Sequence, residues 1–450
     1  MKTTPVLEIA DAIDHSPIGG LHLRIFVLCA LCMIMDGFDV QALGYVAPAL
    51  SREWGIPPSQ LGPVFGAGNL GVLIGQLTFT VLADRIGRRP VLIAGTLLFA
   101  VATLATSRAA DIVDLLVIRM VAGIGMGSII PNATALVGEF SPLRVRIPWM
   151  TWLSIGFTAG AAIGGFVAAA LIPVFGWRSV FYIGGAVPLL LAVAMVRWLP
   201  ESLRWLVLHG RRSEYVRRWL KRLHPAVPID DHTRFVIKEE IKKGQPVAHL
   251  FRDHRALPTV LLWVVNFMNL FNLFSLANWL PTVATRAGYS TSTAVLIGTT
   301  LQVGGTLSPF LLTHFILRTG FVPVLTVTFL IAALSVALIG YPGLSLVMLL
   351  AVVFVAGATI VGAQPSLNAL AGTFYPTYLR STGVGWALGI GRAGSIVGPV
   401  MAGQFLARAW TTTDIFLALA VPAVISAGAM LALRPLMRSL GASRTMRPHG

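Results

Sequence analysis

Hydrophobic positions along this chain fall in long unbroken blocks, without the apolar–polar alternation of a half-buried strand. Each block is close to the roughly twenty residues a helix needs to cross the hydrocarbon core of a bilayer. Short charged or Pro/Gly-marked breaks separate them. The pattern predicts about twelve membrane-spanning helices, at 21–48, 61–83, 90–107, 112–138, 148–174, 178–199, 258–284, 293–315, 321–340, 344–370, 381–406 and 412–434. The corresponding division is a cytoplasmic N-terminal segment at 1–20, a first bundle at 21–199, a middle loop at 200–257, a second bundle at 258–434 and a cytoplasmic tail at 435–450.

Composition agrees with this class. Hydrophobic residues are 56% of the chain and charged residues 12%, against roughly a quarter charged in ordinary globular domains. The net charge of +16 would suit nucleic acid only if it formed a basic face with stacking or base-contacting groups, and none is apparent. The basic residues instead sit in alternate loops. One set is Arg85, Arg88 and Arg89, then Arg144 and Arg146, then Arg211, Arg212, Arg217, Arg218, Lys221 and Arg222. Arg380 and the tail residues Arg434, Arg438, Arg444 and Arg447 continue it. The intervening loops carry little beyond Arg52, Arg108, Arg178, Arg286 and Arg408. This asymmetry places both termini and the middle loop in the cytoplasm. The mildly acidic start (Glu8, Asp11, Asp14) has no basic leader, so no cleavable signal peptide is expected. Cys29 and Cys32, the only cysteines, lie in an apolar span without a second ligand pair and read as small core residues.

The chain repeats itself. PNATALVGEFSPLRVRIPWMTW from Pro131 aligns with PSLNALAGTFYPTYLRSTGVGW from Pro365, an offset of 365 − 131 = 234. Arg85-x-Gly87-x-x-Pro90 matches Arg318-x-Gly320-x-x-Pro323 at 318 − 85 = 233. A six-span unit copied in parallel is the plan of a two-bundle secondary transporter, whose ligands bind near the membrane midplane between the halves. A static membrane scaffold would explain the repeat but not the charges inside the spans. Asp36 and Asp39, three residues apart on one helical face, lie inside the first span. At offset 233 they fall on Asn269 and Asn272, which hydrogen-bond but cannot lose a proton. Arg392, inside the eleventh span, falls on Thr158 at offset 234. Titratable acids in one half and a fixed cation in the other suit a path for an anion and protons.

These motifs resemble a known family. LADRIGRR, with Asp84, Arg85, Gly87, Arg88 and Arg89, is similar to the signature loop of the major facilitator superfamily. Arg119-x-x-x-Gly123-x-Gly125-x-Gly127 resembles its second signature, and PESLRWL from Pro200 its motif after span six. DGFDVQALGYVAP from Asp36, NWLP from Asn278, GAQPSLNALAG from Gly362 and YPTYLRSTGVGWALGIGRAGSIVGP from Tyr375 resemble the aromatic acid:proton symporters within that superfamily. The resemblance covers all but the termini and middle loop. It implies the twelve-helix fold of that superfamily and proton-driven import of benzoate- or hydroxybenzoate-class acids, in a bacterial inner membrane. It implicates Asp36, Asp39, Arg119 and Arg392. Three positions depart from pattern: Thr80 replaces a usual glycine four before Asp84, Leu317 replaces the acid in the second loop copy, and Ala161 stands where proton antiporters carry proline. The last tilts the reading to symport.

The chemistry assigns expected roles. Guanidinium binds a carboxylate through two parallel hydrogen bonds and does not deprotonate, so Arg392 is the expected partner of a substrate carboxylate. Asp36 and Asp39 are the expected proton sites, coupled in titration, with Arg119 alternately paired to an aspartate. Asn269, Asn272, Asn278, Gln302 and Gln364 are candidates to bind substrate hydroxyls. Trp279 and Trp386, with Phe267, Phe271 and Phe274, are candidate ring contacts, although most aromatics in such chains pack or anchor at the interface. Asp84, Arg85, Gly87, Arg88, Arg89, Glu139, Arg144 and Arg146 are the expected cytoplasmic gate, whose ion pairs hold the outward-open state. His314 reads as structural. No catalytic set, metal site or cofactor is expected; the partners expected are a small aromatic acid, protons and the lipid bilayer, with no nucleic acid, and the chain acting as a monomer. Competing readings are a sugar or polyol porter suggested by PESLRWL, which would not need Arg392, or another organic-anion proton symporter of the same superfamily; a drug antiporter, disfavoured by Ala161; and a membrane sensor of aromatic acids, for which the middle loop is short.

Overall fold

The computed structural model describes residues 6–210, 213–223, 233–237, 247–252, 255–376 and 378–445. Portions of the predicted middle loop and tail, Arg211, Arg212 and Arg447 among them, lie outside the described residues.

Each predicted span is helical, ten as one helix and two as a pair of helices. After a short strand β1 (Val6–Glu8) and helix α1 (Ile9–Asp14) come α2 (Gly20–Trp54), α3 (Gly62–Ile86), α4 (Arg88–Thr106), α5 (Ile112–Met126), α6 (Ile129–Phe140), α7 (Leu143–Phe175) and α8 (Arg178–Trp198). The connecting stretch holds α9 (Leu203–Leu208), α10 (Ser213–Leu223) and β2 (Arg234–Val236). The second copy is α11 (Ala256–Arg286), α12 (Thr291–Thr319), α13 (Phe321–Ile339), α14 (Leu346–Ile360), α15 (Ala363–Phe374), α16 (Arg380–Ala407) and α17 (Thr412–Thr445). Ten of these stretches, counting α5–α6 and α14–α15 each as one, are long and apolar enough to cross a membrane. Among the described residues α2 and α16 fall outside that set; α2 carries Asp36 and Asp39, and α16 carries Arg392.

Spans four and ten are each split, for the same reason. Proline has no N–H to give the carbonyl four residues back, and its ring crowds that carbonyl. Pro131 and Pro365 therefore open the ladder at residues 127 and 361, where α5 gives way to α6 and α14 to α15. Loops repeat as well: Gly87 and Gly320 end α3 and α12 at φ 111° and 87°, a region costly for residues with a Cβ.

Helix crossings are set by glycine in both copies. A Cβ on Gly160 of α7 would lie 1.9 Å from the Ile34 carbonyl oxygen of α2, and one on Gly394 of α16 would lie 2.2 Å from the Phe267 carbonyl of α11. The same holds for Gly71 against Met120 and Gly304 against Phe354, both at 2.2 Å. Small residues let backbones meet where lipid removes the hydrophobic drive between helices.

The chain forms two compact units, Met1–Val40 with Leu70–Gly160 and Phe181–Ile241, and Gln41–Asn69 with Ala161–Val180 and Lys242–Gly450. The ends of α2, α3, α7 and α8 thus pack with the second repeat. In the first unit β1 and β2 form a parallel ribbon, Val6 opposite Arg234 and Glu8 opposite Val236; three residues per strand are too few to show a period in sequence. In the second unit a core of Leu262, Leu325, Phe329, Leu367, Leu370 and Met430 is almost fully buried.

Candidate functional site

In the first unit α2 and α5 bring Asp39 and Arg119 together. Arg119 Nη2 lies 2.6 Å from Asp39 Oδ2 and Nη1 lies 3.2 Å from Oδ1, a two-pronged pair with side chains 5% and 0% exposed. Arg119 Nη2 also donates to the Asp39 carbonyl at 3.3 Å, Thr103 Oγ1 donates to Asp39 Oδ1 at 3.1 Å, and the guanidinium lies 5.7 Å from the Phe181 ring centroid. The guanidinium thus supplies the carboxylate with both an opposite charge and hydrogen-bond donors. Asp36 is buried three residues earlier on α2.

The second unit lacks this pair. Asn272 stands at the place of Asp39 and Val353, 234 residues after Arg119, at the place of the arginine; both are buried. Asn269, the counterpart of Asp36, donates from Nδ2 to Gln364 Oε1 at 2.8 Å and to the Ile360 carbonyl at 3.2 Å, where α14 ends. Gln364 Nε2 donates onward to Asn368 Oδ1 at 3.1 Å and Asn266 Oδ1 at 3.3 Å. The carbonyl oxygens of the Asn269 and Asn272 side chains have no hydrogen-bond partner among the described residues.

Arg392 is half-buried on α16, one residue from Gly391, which abuts Asn266 on α11. On the stripe that carries Arg392, a Cβ at Gly385 or Gly389 would meet nothing within 4 Å, whereas Gly391, Gly394 and Gly398 press against α11. One face of α16 is therefore packed and the other open.

The remaining candidates separate by surroundings. Trp279 is buried, its Nε1 donating to the Pro399 carbonyl at 2.8 Å and its ring edge-on to Phe65 at 5.2 Å. Asn278 Nδ2 donates to the Phe274 carbonyl at 2.7 Å within its own helix, while Phe267 and Phe271 lie 6.4 Å apart. Trp386 is exposed and stacks on Trp263 at 5.8 Å. Gln302 Nε2 donates to Gln41 Oε1 at 3.0 Å, and both are buried. His314 is exposed against Phe315. Cys29 and Cys32 are buried free thiols.

Among the described residues, the candidate gate residues fall into two clusters, both in the first unit. Arg88 pairs with Glu139 at 2.9 Å. Glu201 Oε1 accepts the backbone N–H groups of Arg88, Arg89 and Ser202 at 3.0, 3.1 and 2.8 Å, capping the start of α4. A Cβ at Gly87 would strike Glu201 Oε2 at 2.3 Å. Burial pushes the Glu201 carboxyl above its usual range, opposed by those three donors and the Arg89 charge. Trp205 Nε1 donates to the Asp84 carbonyl at 2.8 Å, and the Asp84 and Arg85 side chains are exposed. Arg144 and Arg146 go elsewhere. Arg146 pairs with Asp14 at 3.0 Å, Asp14 caps α7 through the Leu143 N–H at 3.1 Å, and Arg144 donates to the Ser16 carbonyl at 2.7 Å. Sequence reasoning quoted the motif containing Glu201 without assigning it this role. It had no signal for Asp14, which is remote in sequence from the arginines it meets.

Two six-span repeats with intramembrane acids in one and an arginine in the other define a membrane transporter. The sequence profile of the Major Facilitator Superfamily matches residues 29–399 and 262–448, and the chain belongs to that superfamily. It is 37% identical over 421 residues to the 4-hydroxybenzoate transporter PcaK of Pseudomonas putida, covering 93% of this chain and 94% of that protein. It is 35% identical to a gallate transporter of Pseudomonas putida, covering 95% of each. Among solved structures, a D-xylose-proton symporter superposes with a TM-score of 0.71 at 16% identity, over 91% of this chain and 97% of that one.

Proposed function

We propose that this chain imports a benzoate- or hydroxybenzoate-class carboxylate together with protons across a bacterial inner membrane, with both termini cytoplasmic and the chain acting as a monomer. One observation carries the reading: repeat-equivalent positions differ in charge. Asp39 and Arg119 have Asn272 and Val353 as their repeat equivalents, and Arg392 has Thr158. A fold that needed these sites only for packing would keep both copies apolar, since an arginine at membrane depth costs about 3 kcal/mol on insertion scales. The similarity to proteins named for 4-hydroxybenzoate and gallate supports the substrate class.

Arg392 takes the substrate carboxylate through two hydrogen bonds, and the open strip at Gly385 and Gly389 leaves room for the aryl ring. Gln364, Asn269, Asn272, Asn278, Gln302, Trp279 and Trp386 form the proposed lining. Protonating Asp39 removes the Coulomb attraction in its pair with Arg119 and frees the guanidinium, with Asp36 as the second proton site. Asp84, Arg85, Gly87, Arg88, Arg89, Glu139, Arg144 and Arg146 serve as the cytoplasmic gate, braced through Glu201 and Asp14. The cycle runs on the proton gradient without a cofactor.

Uptake of labelled aromatic acids into proteoliposomes, with and without an inward proton gradient, tests this. Gradient-dependent accumulation of one acid, lost in Arg392→Ala, is expected. Proton-coupled movement of a sugar instead, with no aromatic acid accumulated, would overturn the substrate.

A further inference from the structure

Two prolines in the second repeat leave backbone carbonyls without a helical donor. Pro281 lies inside α11, four residues after Ala277, and Pro399 lies inside α16, four residues after Ser395. Neither proline has an N–H, so the Ala277 and Ser395 carbonyls lose their ladder bonds. A buried carbonyl left unpaired is costly, and most find another donor. Here the donors are side-chain amides from the first repeat. Gln41 of α2 donates from Nε2 to the Ala277 oxygen, and Asn69 of α3 donates from Nδ2 to the Ser395 oxygen at 3.0 Å. Gln41 Oε1 in turn accepts from Gln302. Gln41, Asn69, Gln302 and both carbonyls belong to one compact unit, and the three amide side chains are at most 8% exposed.

We infer that Gln41 and Asn69 are positioning residues for transport: they latch one end of the path shut by docking on proline-freed carbonyls. The inference rests on the transport reading above, whose topology puts this end outside. The chemistry suits a contact that must form and break. A carbonyl within the helix ladder has little to gain from a second donor. One freed by proline accepts an amide when the end is closed and water when it is open, so neither state strands it. Around the latch the backbones meet closely: a Cβ on Gly44 would lie 2.9 Å from the Ala277 oxygen, and one on Gly62 would lie 3.4 Å from the Pro399 oxygen. Closure is then set by these hydrogen bonds and by fit, with no charge to desolvate.

The test is the labelling rate of Thr299→Cys by a membrane-impermeant thiol reagent in sealed vesicles holding the full chain, with labelling of the chain without that cysteine subtracted. Thr299 is buried one turn from Gln302. Gln41→Met should speed labelling roughly twofold to tenfold, the worth of one net neutral hydrogen bond. Pro281→Ala should do the same with Gln41 intact, because it returns an N–H to the Ala277 carbonyl. The combined variant should label no faster than the faster single one, since both remove the same bond. Gln41→Glu should label slowly at low pH, where the acid can donate, and faster as it ionises, relative to the Gln41 chain at each pH. Rates in Gln41→Met and Pro281→Ala equal to the parent's, or effects that multiply in the combination, would overturn the latch. Labelling needs no aromatic acid, so failure of the substrate panel leaves this result standing, and the reverse.

Discussion

Exchanging the ion pair of the first repeat for its counterpart in the second isolates what that pair does. Asp39→Asn leaves the Arg119 guanidinium, 5% exposed, without its carboxylate. Breaking a buried pair in this way costs about 3–5 kcal/mol. Arg119→Val leaves the carboxylate, which can relieve itself by taking a proton, whereas arginine cannot give one up. That variant should be less damaged. The double variant reproduces Asn272 and Val353, an arrangement the same fold already buries. It should recover most of the loss, giving a coupling energy of about 2 kcal/mol or more, well above the roughly 0.5 kcal/mol scatter expected of independent sites. Melting of the four proteins in detergent gives the order natural, double, Arg119→Val, Asp39→Asn. Uptake into proteoliposomes gives the second half of the result: the double variant should fold yet lose gradient-driven accumulation. Additive losses in stability would refute the pair as one unit, and uphill uptake by the double variant would refute its role in coupling protons.

Two other perturbations probe the loops. Glu201 holds its proton more tightly in the folded protein than in the unfolded chain, so its contribution is full below the ordinary carboxyl value of 4.5 and is lost as pH rises through the raised folded value; Glu201→Gln should flatten that fall in melting scans taken upward from pH 4. Asp14→Ala removes both the α7 cap and the Arg146 partner and should cost about 1 kcal/mol, seen as faster hydrogen exchange in the first turn of α7 with the other spans unchanged.

The amino-acid sequence by itself determined the number and repetition of the spanning helices but not all their limits: α2 runs on to Trp54 where the pattern predicts an end at 48, and α7 starts at Leu143 where it predicts 148. Lipid permits few alternatives: every backbone group must be satisfied within its own segment, so apolar blocks of this length become helices. It also located Asp36, Asp39, Arg119 and Arg392, because a charge in an apolar block stands out without knowledge of its neighbours. Pro131 and Pro365 carried the two helix breaks in plain view, yet the spans they split were predicted as continuous. Pairing was decided only by the tertiary structure. Arg119 meets Asp39 across 80 residues of chain, Arg88 takes Glu139 while Arg144 and Arg146 take the N-terminal segment, and Glu201 gathers three N–H groups at the start of α4. Nothing in the sequence singles out Gln41 or Asn69. Their meaning depends on which carbonyl lies opposite, and that follows from helix crossings set by glycines and prolines far away in the chain. Local composition fixes what a segment must be in a membrane; the close approach of segments decides which polar groups find each other.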